Sequence, residues 1–133
     1  MKKIIQTACI ISTILGIASY LPAQNSSEMT GTNEITTVEL TSFQLIEGAD
    51  EAKFLQAADQ MQKAFLDKQE GFVKRTIVKG EHGWTDIVFW KDPQSMQNAM
   101  QKAESAAEVA PFMQMIDFSS VKMNLTEIKM NSN

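Results

Sequence analysis

Residues 71–91, GFVKRTIVKGEHGWTDIVFWK, constrain the fold more than any other part of the chain. They contain two runs rich in β-branched and aromatic residues, separated by Gly-Glu-His-Gly at residues 80–83. This pattern predicts two antiparallel strands joined by a tight turn. Alternation along the second strand divides its residues between two sides: Trp84, Asp86, Val88 and Trp90 on one, and Thr85, Ile87 and Phe89 on the other. The second set is typical of a core, whereas the first places a carboxylate between two tryptophans.

The chain on each side of this hairpin supplies one further strand and one helix. Asp50 and Asp92 are suitable helix caps, because a carboxylate accepts hydrogen bonds from the free N–H groups of a first turn. Pro93 suits the first helical position, where its missing N–H is not needed. The predicted elements are a strand over residues 34–46, a helix over 51–68, a helix from 92 to about 110, a short helical turn over 112–116 and a strand over 118–130.

This order predicts an α+β protein with a ferredoxin-like β-α-β-β-α-β fold and a four-stranded antiparallel sheet. Both helices of such a fold cover the same face of the sheet. The other face then needs cover that one chain does not provide, so we expect a homodimer that packs sheet against sheet.

The first 23 residues have the pattern of a secretory signal peptide. Two lysines precede a mostly apolar run over residues 4–17, and Ala23 provides a small residue for cleavage, with Ser19 as the alternative site. The apolar run is short for a membrane span, which is the other reading of this segment. Residues 24–33 are polar and predict a flexible leader, and residues 131–133 a frayed tail. We therefore expect a bacterial protein exported to the periplasm or secreted, with no membrane attachment after cleavage.

Composition argues against several classes of partner. The net charge is −4 and Arg75 is the only arginine of the chain, so no basic patch for nucleic acid is expected. The only cysteine, Cys9, lies in the predicted signal peptide, and His82 is the only histidine. We predict no metal site, because cysteine and histidine ligands are too few. We also predict no cofactor.

Several residues in this layout resemble a known family. The patterns Gln69-x-Gly71-Phe72, Trp84-x-Asp86 and Trp90, with the layout of residues 34–130, are similar to the antibiotic-biosynthesis-monooxygenase-like branch of the dimeric α/β-barrel proteins. The resemblance implies a dimer with a pocket between sheet and helices in each subunit.

Activities in that superfamily include cofactor-independent oxidation of polyketide-like aromatics, haem degradation and isomerisation of small ring compounds. Haem-degrading relatives use a histidine in the second helical region as an iron ligand. No histidine follows Trp84 in this chain, which argues against haem degradation.

The best site candidates lie on the side of the hairpin that carries Asp86. If this side lines the pocket, Trp84 and Trp90 could hold a flat ligand between them while Asp86 accepts a hydrogen bond or a proton. Arg75 is the expected partner of Asp86 across the hairpin. In the alternative interpretation the tryptophans are core or dimer contacts and the Asp86–Arg75 pair is structural. The predicted catalytic residues are Asp86 and Arg75, and the predicted ligand-binding residues are Trp84, Trp90, Phe43 and Met100.

Two functional hypotheses follow from these residues and the resemblance. The first is binding or oxidation of a small hydrophobic or aromatic molecule in a pocket between sheet and helices. The alternative is a non-catalytic ligand-binding or structural dimeric module of the cell envelope.

Overall fold

A computed structural model describes residues 34–130, which form four strands and three helices. In chain order these are β1 Thr37–Leu45, α1 Glu51–Ala64, β2 Phe72–Gly80, β3 Gly83–Trp90, α2 Pro93–Ala103, α3 Ala110–Met113 and β4 Ile116–Glu127. Short 3-10 turns, Leu66–Lys68 and Ala107–Val109, follow α1 and α2. The sheet order is β2-β3-β1-β4, and each neighbouring pair is antiparallel. The predicted ferredoxin-like α+β fold is confirmed.

The predicted signal peptide over residues 1–23, the leader over 24–33 and the tail over 131–133 lie outside the described residues. Within residues 34–130, no helix is both long enough and apolar enough to span a bilayer.

Both long helices begin where the sequence predicted, because each has an aspartate cap. Asp50 Oδ1 accepts from the backbone N–H of Lys53 at 2.9 Å, and Asp92 Oδ1 accepts from that of Ser95 at 2.7 Å. Each carboxylate thereby satisfies an N–H group that has no partner within its helix. The buried stripe of α1 follows the helical repeat and consists of Phe54, Ala57, Ala58 and Met61.

The second helical region differs from the prediction of one helix to residue 110. The α2 helix ends at Ala103, and Ala106 has an extended backbone with φ −81° and ψ 115°. Pro111 lies in the first turn of α3, where it is tolerated, and does not end a helix. This break turns Val109 and Phe112 towards the interior, where both are buried. Their burial outweighs the local preference for a continuous helix.

The helices cover the Trp84 side of the sheet. In β3 the residues Trp84, Asp86, Val88 and Trp90 are buried, whereas those between them are only half-buried. Phe54 of α1 packs against Trp84 with ring centroids 5.0 Å apart. The expectation that the Ile87 side forms the core is therefore wrong, because no helix of the described chain packs on that side.

The side of the sheet without helices, here called the open sheet face, carries apolar cross-strand pairs. The register places Leu40 of β1 opposite Ile87 of β3, and Val38 opposite Phe89. Lys74 Nζ lies 4.4 Å from the centroid of the Phe89 ring. The open sheet face therefore combines a half-buried apolar centre with a cation at its margin.

Candidate functional site

A cavity of about 560 Å³ lies between the helix-covered side of the sheet and helices α2 and α3. This volume falls within the roughly 300–1,000 Å³ of typical small-molecule sites. Its wall is mostly apolar: besides aliphatic residues it includes the aromatic residues Phe43, Phe65, Trp90, Phe112 and Phe118, and the methionines Met61, Met100, Met113 and Met123. The interior is therefore suited to an apolar molecule with a flat surface.

The cavity opens to solvent beside the edge strand β4. Phe118 and Met123 of this strand line the cavity and are 61% and 44% exposed. Glu104, which follows α2, also lines the cavity and is exposed. Trp90, by contrast, is 1% exposed and forms part of the inner wall. A ligand could thus enter past β4 and reach Trp90.

Three polar residues line the sheet side of the cavity and are here called the polar strip: Glu39, Thr41 and Asp86. The register of β1 against β3 places Thr41 opposite Asp86, and Glu39 opposite Val88. Residues two apart in a strand share a side of the sheet, so Glu39 and Thr41 are neighbours. The polar strip therefore gives one wall of an apolar cavity a set of oxygen atoms.

Asp86 is held by Arg75, as the sequence predicted. Arg75 Nε donates to Asp86 Oδ1 at 2.8 Å and to Oδ2 at 3.0 Å, and Nη2 donates to Oδ2 at 2.5 Å. Arg75 Nη1 donates to the backbone carbonyl of Ala58 in α1 at 3.0 Å, and its guanidinium lies 4.7 Å from the ring centroid of Phe112. The pair therefore ties the hairpin to α1 and α3, and both oxygens of Asp86 accept from a cation.

Glu39 has much weaker partners than Asp86. Its Oε2 accepts from Trp90 Nε1 at 3.3 Å. Burial raises the pKa of the Glu39 carboxyl above its ordinary value, the Trp90 bond partly opposes this rise, and the nearby charge of Asp86 adds to it. The Thr41 hydroxyl lies close enough to favour the carboxylate of Glu39, yet it is buried and makes no well-formed hydrogen bond within the described residues.

The structure brings four of the six predicted site residues to the cavity. Asp86, Trp90, Phe43 and Met100 line it. Arg75 does not line it and instead supports Asp86 from behind. Among residues 34–130, no three side chains of histidine, cysteine, aspartate or glutamate converge as metal ligands.

Trp84 also lies outside the cavity, so the predicted arrangement of two tryptophans around one ligand is wrong. Trp84 packs against Phe54, and Lys79 Nζ lies 5.3 Å from its ring centroid. Trp84 and Trp90 share a side but are six positions apart, which corresponds to about 20 Å along a strand. Two rings at that distance cannot hold the same small ligand.

Glu39 and Thr41 are site residues that the sequence analysis missed. Both lie in β1 on the side of Phe43, which was a predicted ligand residue. The alternation Thr37, Glu39, Thr41, Phe43 could have indicated them, because it places a carboxylate on the same side as an aromatic core residue.

The fold of the described residues is the one that the sequence resemblance implies. The chain has the fold of antibiotic-biosynthesis-monooxygenase-like proteins and of a dimeric ferredoxin-like protein. No protein-family model matches the chain, and no curated protein matches it significantly by sequence.

Three solved structures illustrate the similarity. SnoaB, a cofactor-independent oxygenase from Streptomyces nogalater, is 15% identical with a TM-score of 0.59, over 74% of this chain and 97% of SnoaB. The monooxygenase ActVA-Orf6 of Streptomyces coelicolor, in complex with nanaomycin D, is 14% identical with a TM-score of 0.58, over 74% and 92%. A dimeric ferredoxin-like protein from an uncultured marine organism is 11% identical with a TM-score of 0.54, over 79% and 97%. At these identities the similarity concerns the fold.

Proposed function

We propose that this protein binds a small, largely apolar aromatic molecule in the cavity between its sheet and helices. The observation that carries the proposal is a cavity of about 560 Å³ whose wall is apolar, with many aromatic and methionine side chains, except for the polar strip and Glu104. Apolar contact contributes about 25 cal/mol per Å² of surface removed from water. A few fixed polar groups then orient the ligand.

The residues of the inner wall have distinct parts in this proposal. Trp90 and Phe43 offer ring surfaces to a flat ligand, and both are almost fully buried. Met100 is flexible and polarizable, so it can adapt to the outline of the ligand. Asp86, fixed by Arg75, supplies a carboxylate at a defined position.

Binding can be tested by filling the cavity. Ala103 of α2 lines the cavity, and tryptophan at this position would occupy the space of a ligand. We expect the wild-type protein to bind 2-methoxynaphthalene with one site per subunit, and Ala103→Trp to lose binding, as measured by quenching of tryptophan fluorescence. Ala52→Trp, on an exposed position of α1, is the matched control and should bind as the wild type does. Equal binding by both tryptophan variants would contradict a site in this cavity.

Oxidation of the bound molecule without a cofactor is a second candidate function. It is favoured by the shared fold with SnoaB, a cofactor-independent oxygenase, and with the monooxygenase ActVA-Orf6. In this candidate Asp86 orients or deprotonates the substrate, and Arg75 positions Asp86 from behind. The non-catalytic alternative is a ligand-binding or structural module of the cell envelope on the same fold.

Oxygen consumption separates these candidates. An oxygenase should consume O2 when it is given the molecule that co-purifies with it, and Asp86→Asn should lower the rate far more than the affinity. A binding module should retain the molecule unchanged in air. In that case Asp86→Asn should alter only binding or thermal stability.

Assembly and export complete the proposal. The apolar pairs of the open sheet face favour a second copy of the chain as their cover, and the dimeric ferredoxin-like neighbour supports this assembly. The pattern of residues 1–23 favours export to the periplasm or the medium. A purified chain whose measured mass matches residues 24–133 would support export. A full-length chain recovered from the cytoplasm would contradict it.

A further inference from the structure

The two carboxylates of the polar strip differ in how much hydrogen-bonding capacity they retain. Asp86 receives three contacts of 2.5–3.0 Å from Arg75, which reach both of its oxygens. Its charge is balanced by a guanidinium in direct contact, and little capacity for a strong further bond remains. Asp86 is therefore poorly placed to be the main acceptor for a ligand.

Glu39 retains most of its capacity. It accepts one bond, from Trp90 Nε1 at 3.3 Å, which is long for an N–H donor. Among the described residues, no lysine or arginine nitrogen lies within salt-bridge distance of it. The buried Thr41 hydroxyl beside it also makes no well-formed hydrogen bond within this part of the chain. A buried hydroxyl without a partner, such as that of Thr41, is costly in a folded protein unless a partner arrives.

We propose that Glu39, together with Thr41, selects a ligand that carries a hydroxyl group on its aromatic ring. This inference rests on the proposed function, because it names the ligand class of the same cavity. The Glu39 carboxylate accepts the ligand's O–H, and the Thr41 hydroxyl completes the contact. An ether of the same shape can accept from Thr41 but has no proton to donate to Glu39, and a plain hydrocarbon can do neither, so both bind less tightly. Burial also raises the pKa of Glu39, so its carboxylate is a stronger acceptor than one in water.

A matched pair of probes tests the inference. 2-Naphthol and 2-methoxynaphthalene share a ring system, but only the first has a hydroxyl proton to donate. A bond to a charged acceptor should make wild-type protein prefer 2-naphthol by about tenfold or more. Glu39→Leu should abolish this preference while it still binds 2-methoxynaphthalene. Glu39→Gln should give an intermediate preference, because its neutral amide oxygen still accepts.

The outcomes separate this inference from the proposed function. Glu47→Gln, in the exposed turn after β1, is the control and should keep the full preference. If wild type binds both probes equally, or if both Glu39 variants keep the preference, the inference is overturned and the binding function stands. If wild type binds neither probe, the binding function fails and the inference fails with it.

Discussion

At the scale of single residues, the carboxylates of Asp86 and Glu39 have different surroundings and therefore different roles. Asp86 is neutralised by Arg75, and that pair joins the hairpin to α1 through the carbonyl of Ala58. Glu39 lies in the same cavity wall, accepts a long bond from Trp90 and has the Thr41 hydroxyl close by, but no cation within salt-bridge distance among the described residues, so its charge is poorly compensated. Groups that lower stability and face a cavity are often found at functional sites, so Glu39 is a candidate for a role in binding.

This cost gives a prediction about pH. The pKa of Glu39 is raised by folding, so its contribution to stability is most favourable when it is protonated, below its ordinary value of 4.5. The contribution is lost as pH rises through the folded pKa, above which burial of the carboxylate opposes folding. We therefore expect Glu39→Gln to melt at a higher temperature than the wild type at pH 7. The gain should vanish below pH 4.5, as measured by thermal unfolding across a pH series.

Glu47→Gln is the control for this pH series. It removes an exposed carboxylate and should leave the melting temperature nearly unchanged at both pH values. A Glu39→Gln variant that is less stable at pH 7 would show that the carboxylate has a stabilising partner. That result would contradict the spare capacity on which the ligand inference depends.

Sequence periodicity gives the side of a strand to which a residue points, but not the position of the helices above it. Alternation in β3 correctly grouped Asp86 with Trp90, and both line the cavity. It also grouped Trp84 with them, although α1 covers Trp84 through Phe54. Such contacts depend on tertiary packing, which strand period alone does not specify.

At the scale of elements, the ends of helices and strands were predictable where they depend on local sequence. Both aspartate caps and the hairpin were predictable because they depend on neighbouring residues alone. The end of α2 at Ala103 was not predictable, because the following residues favour a helix by propensity. The break there brings Ala106, Val109 and Ala110 to the cavity wall. The incorrect prediction of one continuous helix therefore concerns a part of the candidate site.

The glycine before β2 provides a prediction at this scale. Gly71 has φ +76°, and a Cβ atom there would lie 2.3 Å from Ser95 Oγ and 2.4 Å from Ser95 Cβ in α2. Gly48 has a similar φ of +75°, but a Cβ atom at that position would meet no other atom within 4 Å. Gly48→Ala should therefore cost about 1–2 kcal/mol of backbone strain.

Gly71→Ala should cost that amount and roughly a further 1–3 kcal/mol, because α2 must move away from the strand. Urea unfolding of the two variants gives the difference. Equal losses of stability would show that the approach of Ser95 to residue 71 is not tight.

At the scale of the whole molecule, the open sheet face is the feature that one chain leaves incomplete. Its pairs Leu40–Ile87 and Val38–Phe89 form an apolar centre that is only half-buried. If a second copy covers it, a charge at that centre should prevent association, because a buried unpaired charge is costly. We expect Leu40→Lys to be a folded monomer at concentrations where the wild type is a dimer, as measured by analytical ultracentrifugation.

Leu55→Lys serves as the control for this variant, since Leu55 is 44% exposed on α1 and lies away from the open sheet face. It should remain a dimer. A wild-type protein that sediments as a monomer at high concentration would contradict the sheet-to-sheet assembly.

The occupant of the cavity is the central question for this protein, and a crystal structure with 6-bromo-2-naphthol tests it most directly. The anomalous scattering of bromine locates the probe without reference to the protein. We expect a bromine peak within the cavity bounded by Trp90, Phe43 and Met100, with the hydroxyl oxygen at hydrogen-bond distance from Glu39. The contradicting result, at a saturating concentration of the probe, is bromine at the surface only and a cavity filled by side chains. That result would exclude both the proposed binding site and the role of Glu39.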